Sequence, residues 1–216
     1  MIQNYLSFLS KLKANNNREW FTVHKKEYDS LHGEYLVWIE NILQKMKDLD
    51  DALQFLSVKD CVFRINRDVR FTNDKSPYKS NLSGIFSNSG KSGYNSGYYF
   101  EIDSSGEMMV GGGQYYFHPK DLWRVRQLLV EDASPLRKVL DNPEFQKTFG
   151  GLTGEQVKTS PRGFSLDDPN MDLLKFKNYV TLTKVEVADL SDDQITNIIV
   201  SKFKVIKPLI ELLRRW

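Results

Sequence analysis

The sequence predicts one α+β domain in which an antiparallel meander sheet is flanked by N-terminal and C-terminal helices. Near both ends of the chain, apolar residues recur at the spacing of an amphipathic helix. From about residue 58 the hydrophobic period changes to two, which is typical of strands. Short links rich in turn-forming residues separate these strands, and short links join antiparallel neighbours. Because no linker or break in composition divides the chain, we expect a single domain over residues 1–216.

Capping patterns set the helix boundaries that we expect. Apolar spacing predicts a first helix over residues 2–13. Asn16 with Glu19 three residues later is a capping box, so a second, long helix should start there and run to Met46, with Gly33 as a weak point.

The second half of the chain contains further start signals for helices. Pro119 after His118 predicts a helix over residues 119–131. Shorter helical segments are expected at 134–140, 143–149 and near 170–176. The capping box that opens at Ser191 predicts the last helix, which Pro208 should bend.

Strands are predicted from period-two alternation between turn signals. The expected ranges are 58–71, 82–87, 97–103, 107–111, 156–159 and 178–187. The segment 87–92 resembles a phosphate-binding loop, but five residues instead of four separate Gly84 from Gly90, so we interpret it as a hairpin loop.

Composition limits the classes of function that fit. A net charge of +2 is too small to indicate a nucleic-acid-binding protein by itself, so any electrostatic argument must be local. The one cysteine, Cys61, excludes an internal disulfide framework and fits a reduced compartment. The N-terminus lacks the pattern of a signal peptide, and no run approaches the ~18 apolar residues of a membrane span. We therefore expect a cytoplasmic protein without a membrane partner.

The segment RINRDVRFTNDKSPYKSN, residues 64–81, holds the densest group of charges. Five basic side chains fall within sixteen positions, with two acids among them. If residues 63–71 form a strand, alternation puts Arg64 and Arg70 on one face with Asp68, whereas Arg67 falls on the apolar face. A buried, unpaired guanidinium costs several kcal/mol. Arg67 therefore needs a carboxylate, a bulge that redirects it, or a ligand cavity.

This basic segment favours an oxyanion-binding site. Asn73 and Asp74 indicate a turn, after which Lys75 and Lys79 return toward the strand end. Arginine forks, lysine charges, a hydroxyl and a phenol are suitable donors to phosphate or carboxylate. The candidate ligand-binding residues of this segment are Arg64, Arg67, Arg70, Lys75, Ser76, Tyr78 and Lys79.

Three residues elsewhere are added to the candidate site. Gly112 and Gly113 permit close backbone approach and can offer amides to an anion, although a bulge or a packing contact is the alternative. Arg162, in the loop PRGF, either joins the site or lies in a surface turn.

Metal and catalytic patterns are weak. His24, His32 and His118 lack the paired spacing of a zinc site. A magnesium site is open as an unspecific alternative, with these acidic candidates: Asp68, Asp74, Glu101 and Asp103. If the chain is an enzyme, stabilisation of a transferring phosphoryl group suits the cations, with Asp68 or Asp74 as metal ligand or base.

Aromatic side chains are abundant in the strand region. They are Tyr94, Tyr98, Tyr99, Phe100, Tyr115, Tyr116 and Phe117. Aromatic residues beside cations can stack nucleic-acid bases, but core and cross-strand packing is the more common role.

Four motifs occur in a fixed order along the chain: NNNREWF, RINRDVRFTNDKSPYK, GGGQYYFHPKDLWRVR and PRGF. Together they resemble the family catalogued as domain of unknown function 2461. The resemblance covers nearly the whole chain and implies a single domain, without an established activity, substrate or cofactor. In that family a proline usually stands where this chain has Tyr116 or Phe117, and PRGF is often PKGF.

Three hypotheses follow for the basic segment. The first is binding of an anionic small molecule that carries phosphate or carboxylate. The second is a nucleic-acid-binding module, helped by basic residues of the last helix: Lys202, Lys204, Lys207, Arg214 and Arg215. The third is a structural set of ion pairs that binds no ligand.

Overall fold

Helices occupy both ends of the chain, as the apolar spacing predicts. The computed structural model describes residues 1–92 and 95–216. The helices in these residues are α1 (Ile2–Ala14), α2 (Arg18–Val23), α3 (Lys25–Leu49), α4 (Val58–Cys61), α5 (Pro119–Glu131), α6 (Ser134–Leu140), α7 (Pro143–Phe149), α8 (Met171–Leu174) and α9 (Asp192–Arg215). None of the helices in the described ranges is long and apolar enough to cross a membrane.

A four-stranded sheet lies between these helices. Its strands are β1 (Asn81–Phe86), β2 (Gly97–Asp103), β3 (Glu107–Gln114) and β4 (Tyr179–Glu186). They follow one another in the order β1-β2-β3-β4, and each neighbouring pair is antiparallel. The predicted fold class, an α+β domain with a meander sheet and terminal helices, is confirmed.

One face of the sheet forms the core with α9 and α3. Phe86, Tyr98 and Phe100 alternate toward this face and are fully buried. Phe203 of α9 lies 5.2 Å from Tyr98 between ring centroids, and Trp38 of α3 lies 5.4 Å from Phe100. Burying a side chain of this size contributes about 1.5–3 kcal/mol, so these contacts fix the helices on the sheet.

The opposite face of the sheet, called here the open face, is partly exposed. Its positions alternate with the core positions, and they include Ile85 of β1, Tyr99 of β2 and Leu182 of β4. Large apolar side chains that stay partly exposed on a sheet face can contact a ligand or another protein.

The N-terminal helices differ from the prediction in two details. Asn17, not Asn16, is the N-cap of α2, because its side chain accepts a hydrogen bond from the backbone N–H of Trp20 at 2.9 Å. The predicted long helix is interrupted at His24, between α2 and α3. Gly33 lies inside α3, where the helix continues through it, and the weak point expected there stays a prediction.

Two predicted strands are also wrong. At 58–71, the backbone N–H of Ser57 donates to the Asp60 carboxylate at 3.2 Å in a capping box, which starts the short helix α4. The residues after α4 form an extended loop with isolated bridges instead of a strand. At 156–159, Gln156 forms a single bridge with Phe176 and no strand continues from it.

The remaining elements agree closely with the predictions. β2, α5, α6 and α7 have the predicted bounds, and β3 extends three residues further, to Gln114. Ser191 caps α9 in a capping box with Gln194, and α9 continues through Pro208. β1 and β2 are antiparallel neighbours, and the predicted hairpin loop at 87–92 follows β1 with a 3₁₀ turn at Gly90–Ser92. The prediction for Tyr94 falls outside the described residues.

Candidate functional site

The basic loop, defined here as residues 62–80, runs along the outer side of β1. Val62 forms a bridge with Gly84 of β1, and Asn66 forms a bridge with Tyr78 on the returning limb of the loop. The backbone N–H of Lys79 donates to the carbonyl oxygen of Ile65 at 2.8 Å. These bonds make the loop an irregular hairpin, in which exposure alternates residue by residue over 63–70. The hairpin brings the Arg64 and Lys79 limbs side by side.

Asn16 attaches this hairpin to the N-terminal helices. Its side-chain amide donates to the carbonyl oxygen of Tyr78 at 2.9 Å and accepts from the Tyr78 N–H at 3.1 Å. The Tyr78 ring stacks on Phe21 of α2 at a centroid distance of 4.1 Å. The NNNREWF motif therefore positions the basic loop, and Tyr78 is mainly a packing residue, with 8% of its surface exposed.

Replacing Asn16 with alanine should lower the free energy of unfolding by about 1–3 kcal/mol, because two backbone polar groups of Tyr78 lose their partner. Urea unfolding measures the change. Asn15→Ala is the control, since it removes only an exposed hydrogen bond to the carbonyl oxygen of Lys11. Equal stability losses in the two variants would contradict the assigned role of Asn16.

Two arginines of the basic loop are neutralised by acids of the same loop. Arg67 pairs with Asp74. Of the three possibilities for this arginine on the apolar side, a carboxylate partner is therefore the one observed. Arg70 pairs with Asp68, with 2.6 Å between Nη2 and Oδ2. Hydrogen bonds from Ser76 and then from Arg67 hold the pKa of Asp74 well below its usual range, and hydrogen bonds from Arg70 lower the pKa of Asp68 to about 2. Both carboxylates are therefore weak proton acceptors.

Lys75 and Ser76 belong to the same outer part of the loop. The Lys75 ammonium donates to the carbonyl oxygen of Val69 at 2.8 Å. The backbone N–H of Ser76 donates to the Asp74 carboxylate at 2.9 Å. These contacts organise the turn of the hairpin, where Phe71 is 94% exposed.

Arg64 and Lys79 form a different group, because they line one cavity and form no direct ion pair with a described carboxylate. The ammonium nitrogen of Lys79 lies 4.9 Å from the centroid of the Phe63 ring. Across the described ranges 1–92 and 95–216, neither Arg64 nor Lys79 forms an ion pair. Burial, followed by the positive charge of Arg64, lowers the pKa of Lys79. The negative charge of Glu101 opposes this shift in part, so the two cations are balanced only by carboxylates beyond ion-pair distance.

Two further polar residues border the same cavity, and each has a buried polar atom without a partner. The Nδ1 atom of His32 and the Oδ1 atom of Asn81 are buried and have no hydrogen-bond partner. Both residues line the cavity together with Arg64 and Lys79. The cavity has a volume of about 20 Å³, which is enough for a group the size of a water molecule. Buried polar atoms are normally paired, so this spot is suited to a polar group of a ligand.

Two wider openings adjoin this cavity at Phe63. One is lined by Phe63, Arg64 and Lys91, whose ammonium donates to the carbonyl oxygen of Lys59 at 2.7 Å. The other is a cleft of about 500 Å³ over the open face, which also contacts Phe63 and Lys91. Phe63 is therefore shared by the cavity that Arg64 and Lys79 line and by the cleft over the open face.

The comparisons with known proteins identify the family. The sequence model of a family described as "Conserved hypothetical protein (DUF2461)" matches residues 4–212. The chain belongs to this family. Neither the search of curated proteins nor the search of solved structures returned a match. In this DUF2461 member the match spans the basic loop, its Asn16 contact and all four strands.

The glycine triplet of this DUF2461 protein has a packing role in the sheet. Gly112 and Gly113 lie in β3, which pairs with β2 and β4 on its two sides. A Cβ at Gly113 would lie 2.1 Å from the carbonyl oxygen of Tyr179, and its φ of +129° is unfavourable for L-residues. Both glycines line the cleft over the open face and not the cavity at Arg64 and Lys79.

Arg162 lies apart from the basic loop. It is exposed in a loop whose next residue, Gly163, packs beside Trp123 of α5. It lines neither the cavity at Arg64 and Lys79 nor the cleft. Of the two alternatives for Arg162, the structure favours the surface turn.

The acidic residues considered for magnesium are engaged elsewhere. Glu101 accepts a hydrogen bond from the Tyr99 hydroxyl at 2.6 Å, and Asp103 accepts one from the Ser105 N–H at 2.8 Å. Within residues 1–92 and 95–216, no group of three His, Cys, Asp or Glu side chains is placed to hold a metal ion.

Several residues of this region carry no signal in the sequence. Phe63, Lys91, His32 and Asn81 line the openings around Arg64, and none was a candidate. Lys91 stands in the segment interpreted as a hairpin loop, and His32 was considered only as a metal ligand. No short motif indicates that these four residues lie together, because β1, α3 and the basic loop meet only in the folded chain.

Proposed function

We propose that this protein binds a small molecule that carries a phosphate or carboxylate group, and that Arg64 and Lys79 hold this group. The supporting observation is that these two cations face one cavity and neither forms an ion pair with a described residue. A guanidinium fork and a lysine ammonium are complementary to an oxyanion. An anion between them would also relieve their mutual repulsion.

The proposed site is narrower than the sequence suggests. Arg67 and Arg70 already have their own carboxylates, so we assign them to the shape of the hairpin. Lys91 joins Arg64 as a further cation near Phe63. The low pKa values of Asp68 and Asp74 favour binding over a reaction that uses either of them as a base.

The alternative is a nucleic-acid-binding module, but some of the α9 cations on which it depends are neutralised by acids. Arg214 pairs with Asp50 at 2.8 Å, and Lys207 pairs with Glu211 at 3.4 Å. We therefore favour the small ligand. The salt dependence of oligonucleotide binding distinguishes the two hypotheses, because a large phosphate footprint gives a steep slope.

Arg64→Ala and Lys79→Ala are each expected to weaken binding of inorganic phosphate or glucose 6-phosphate at least about tenfold, since each removes a charge-assisted hydrogen bond of about 1.5–3 kcal/mol. Isothermal titration at low ionic strength measures the affinity. Arg70→Ala is the matched control, because it removes the same charge from the same loop but from a residue that Asp68 neutralises.

The result that opposes the proposal is equally specific. Equal weakening by Arg70→Ala and Arg64→Ala would indicate general attraction to a basic surface instead of a site. A single-stranded oligonucleotide that binds more tightly than every phosphate compound, with a steep salt slope, would favour the nucleic-acid-binding module.

A further inference from the structure

The cleft over the open face has an unusual floor. At one level of the sheet, the paired residues are Ile85, Tyr99, Gly111 and Leu182, one from each strand. Gly111 carries no side chain, so a gap is left between Tyr99 and Leu182, and the glycines that line it are Gly97, Gly112 and Gly113. These two strands are two strand spacings apart, or roughly 10 Å. At the next level on this face, Gly97 pairs with Gly113, which widens the gap.

Apolar and aromatic groups line most of this gap. Tyr99 and Leu182 border it from β2 and β4, while Phe63 and Tyr115 contribute further rings. Its volume of about 500 Å³ falls within the range of ordinary small-molecule sites. A flat ring can lie on a glycine floor between such walls, because glycine allows close approach and aromatic side chains supply stacking surface.

The two ends of the cleft differ in charge. Lys91 and Phe63 form one end, and Phe63 also borders the cavity that Arg64 and Lys79 share. Glu155 stands at the other end and pairs with Lys177 at 3.1 Å. A bound molecule with one anionic group would therefore point that group toward the Phe63 end.

We propose that the anionic ligand is an aryl anion, whose apolar aromatic ring lies over Gly97 and Gly113 and whose phosphate or carboxylate points toward Arg64, Lys79 and Lys91. This inference rests on the anion site proposed above and adds the chemical class of the ligand to it. Phe63 lies between the two parts of the site, where it contacts the ring and carries the Lys79 ammonium over its own face.

The test compares 1-naphthyl phosphate with inorganic phosphate and AMP by isothermal titration. The wild-type chain is expected to bind 1-naphthyl phosphate at least about tenfold more tightly than inorganic phosphate, because the ring is removed from water. Leu182→Trp fills the gap and should abolish this preference without changing the affinity for inorganic phosphate. Leu166→Trp, at an exposed position outside the cleft, is the matched control and should keep the preference.

Each outcome separates this inference from the proposed anion site. If Arg64→Ala weakens both phosphates while Leu182→Trp leaves the naphthyl preference intact, the aryl inference is overturned and the anion site stands. If Arg64→Ala and Lys79→Ala change neither affinity, both proposals are overturned. Tighter binding of AMP than of 1-naphthyl phosphate would also overturn the inference that the ring of the ligand is apolar. Should Leu182→Trp not fold, Ile85→Trp replaces it, and saturation-transfer NMR on the wild-type chain must show contact of the naphthyl protons with protein.

Discussion

Replacing Asp50 with alanine is expected to lower the free energy of unfolding by about 3–5 kcal/mol, the cost of breaking a buried ion pair from one side. Asp50 is 4% exposed and accepts hydrogen bonds from the Arg214 guanidinium at 2.8 Å and from the Tyr98 hydroxyl at 2.8 Å. It therefore joins the end of α3 to β2 and to the last turn of α9.

Arg214 makes this loss larger than that of an ordinary ion pair. Its Nε and Nη2 atoms are already buried without a hydrogen-bond partner, so Asp50 supplies the side-chain partner on which the guanidinium depends. Without Asp50 the guanidinium would remain in a low-dielectric environment with its charge uncompensated. Burial, followed by the charge of Asp50, also raises the pKa of Tyr98, so its hydroxyl stays protonated and able to donate.

Chemical denaturation of three variants checks this prediction. Asp51→Ala is the control, because it removes an exposed carboxylate next to Asp50 and should change stability by less than about 0.5 kcal/mol. The double variant Asp50→Ala with Arg214→Met should recover much of the loss, since replacing both buried charges by apolar groups is often close to neutral. A loss below about 1 kcal/mol in Asp50→Ala would show that the pair is not a structural requirement.

Local chemistry explains why so many elements were predictable. The bounds of α5 and α7 follow from Pro119 and Pro143 at their starts, and Gly150 in the left-handed conformation ends α7. β2 is bounded by Gly97 and by the turn that Asp103 begins. In each case the signal and the element that it ends or begins are within a few residues of each other.

The segment 58–71 shows where such signals conflict. Its alternation of apolar and charged residues is real, because exposure alternates from Phe63 to Arg70. The capping box at Ser57 nevertheless starts a helical turn, and the loop pairs only with single residues of its neighbours. A period of two predicts which side of the chain faces inward, but strand formation also needs a partner of sufficient length.

The candidate site was predictable in composition and not in arrangement. Five bases and two acids leave three cations without an acid of their own, which is visible in the sequence. Side-chain directions decide that these are Arg64, Lys75 and Lys79. The contribution of Lys91 and the open face depends on how β1 and β4 pair with the strands between them, which no short motif encodes.

The ion pair of Arg214 also depends on contacts between distant parts of the chain. From the sequence, Arg214 was grouped with the basic residues of a nucleic-acid-binding surface. Its carboxylate partner is 164 residues away in the sequence. The packing of α9 against α3 and the sheet brings the two together.

Gly113→Ala is expected to destabilise the protein by about 2–6 kcal/mol, the sum of a strained backbone at about 1–3 kcal/mol and overpacking at about 1–3 kcal/mol. The new Cβ would lie 2.1 Å from the carbonyl oxygen of Tyr179 in β4, and the backbone cannot yield without breaking the pairing of β3 with β4. Thermal and urea unfolding measure the loss.

Two other glycines separate the parts of this effect. Gly150 has a φ of +71° and open space around its Cβ direction, so Gly150→Ala reports backbone strain alone, at about 1–2 kcal/mol. Gly33 lies in α3 with nothing within 4 Å of that direction, and Gly33→Ala should stabilise the protein by about 0.5–1 kcal/mol. If Gly113→Ala cost no more than Gly150→Ala, the close contact between β3 and β4 would not be what requires glycine. The requirement for glycine at 113 would then have to come from the proposed approach of an aryl ring, and not from the packing of the sheet.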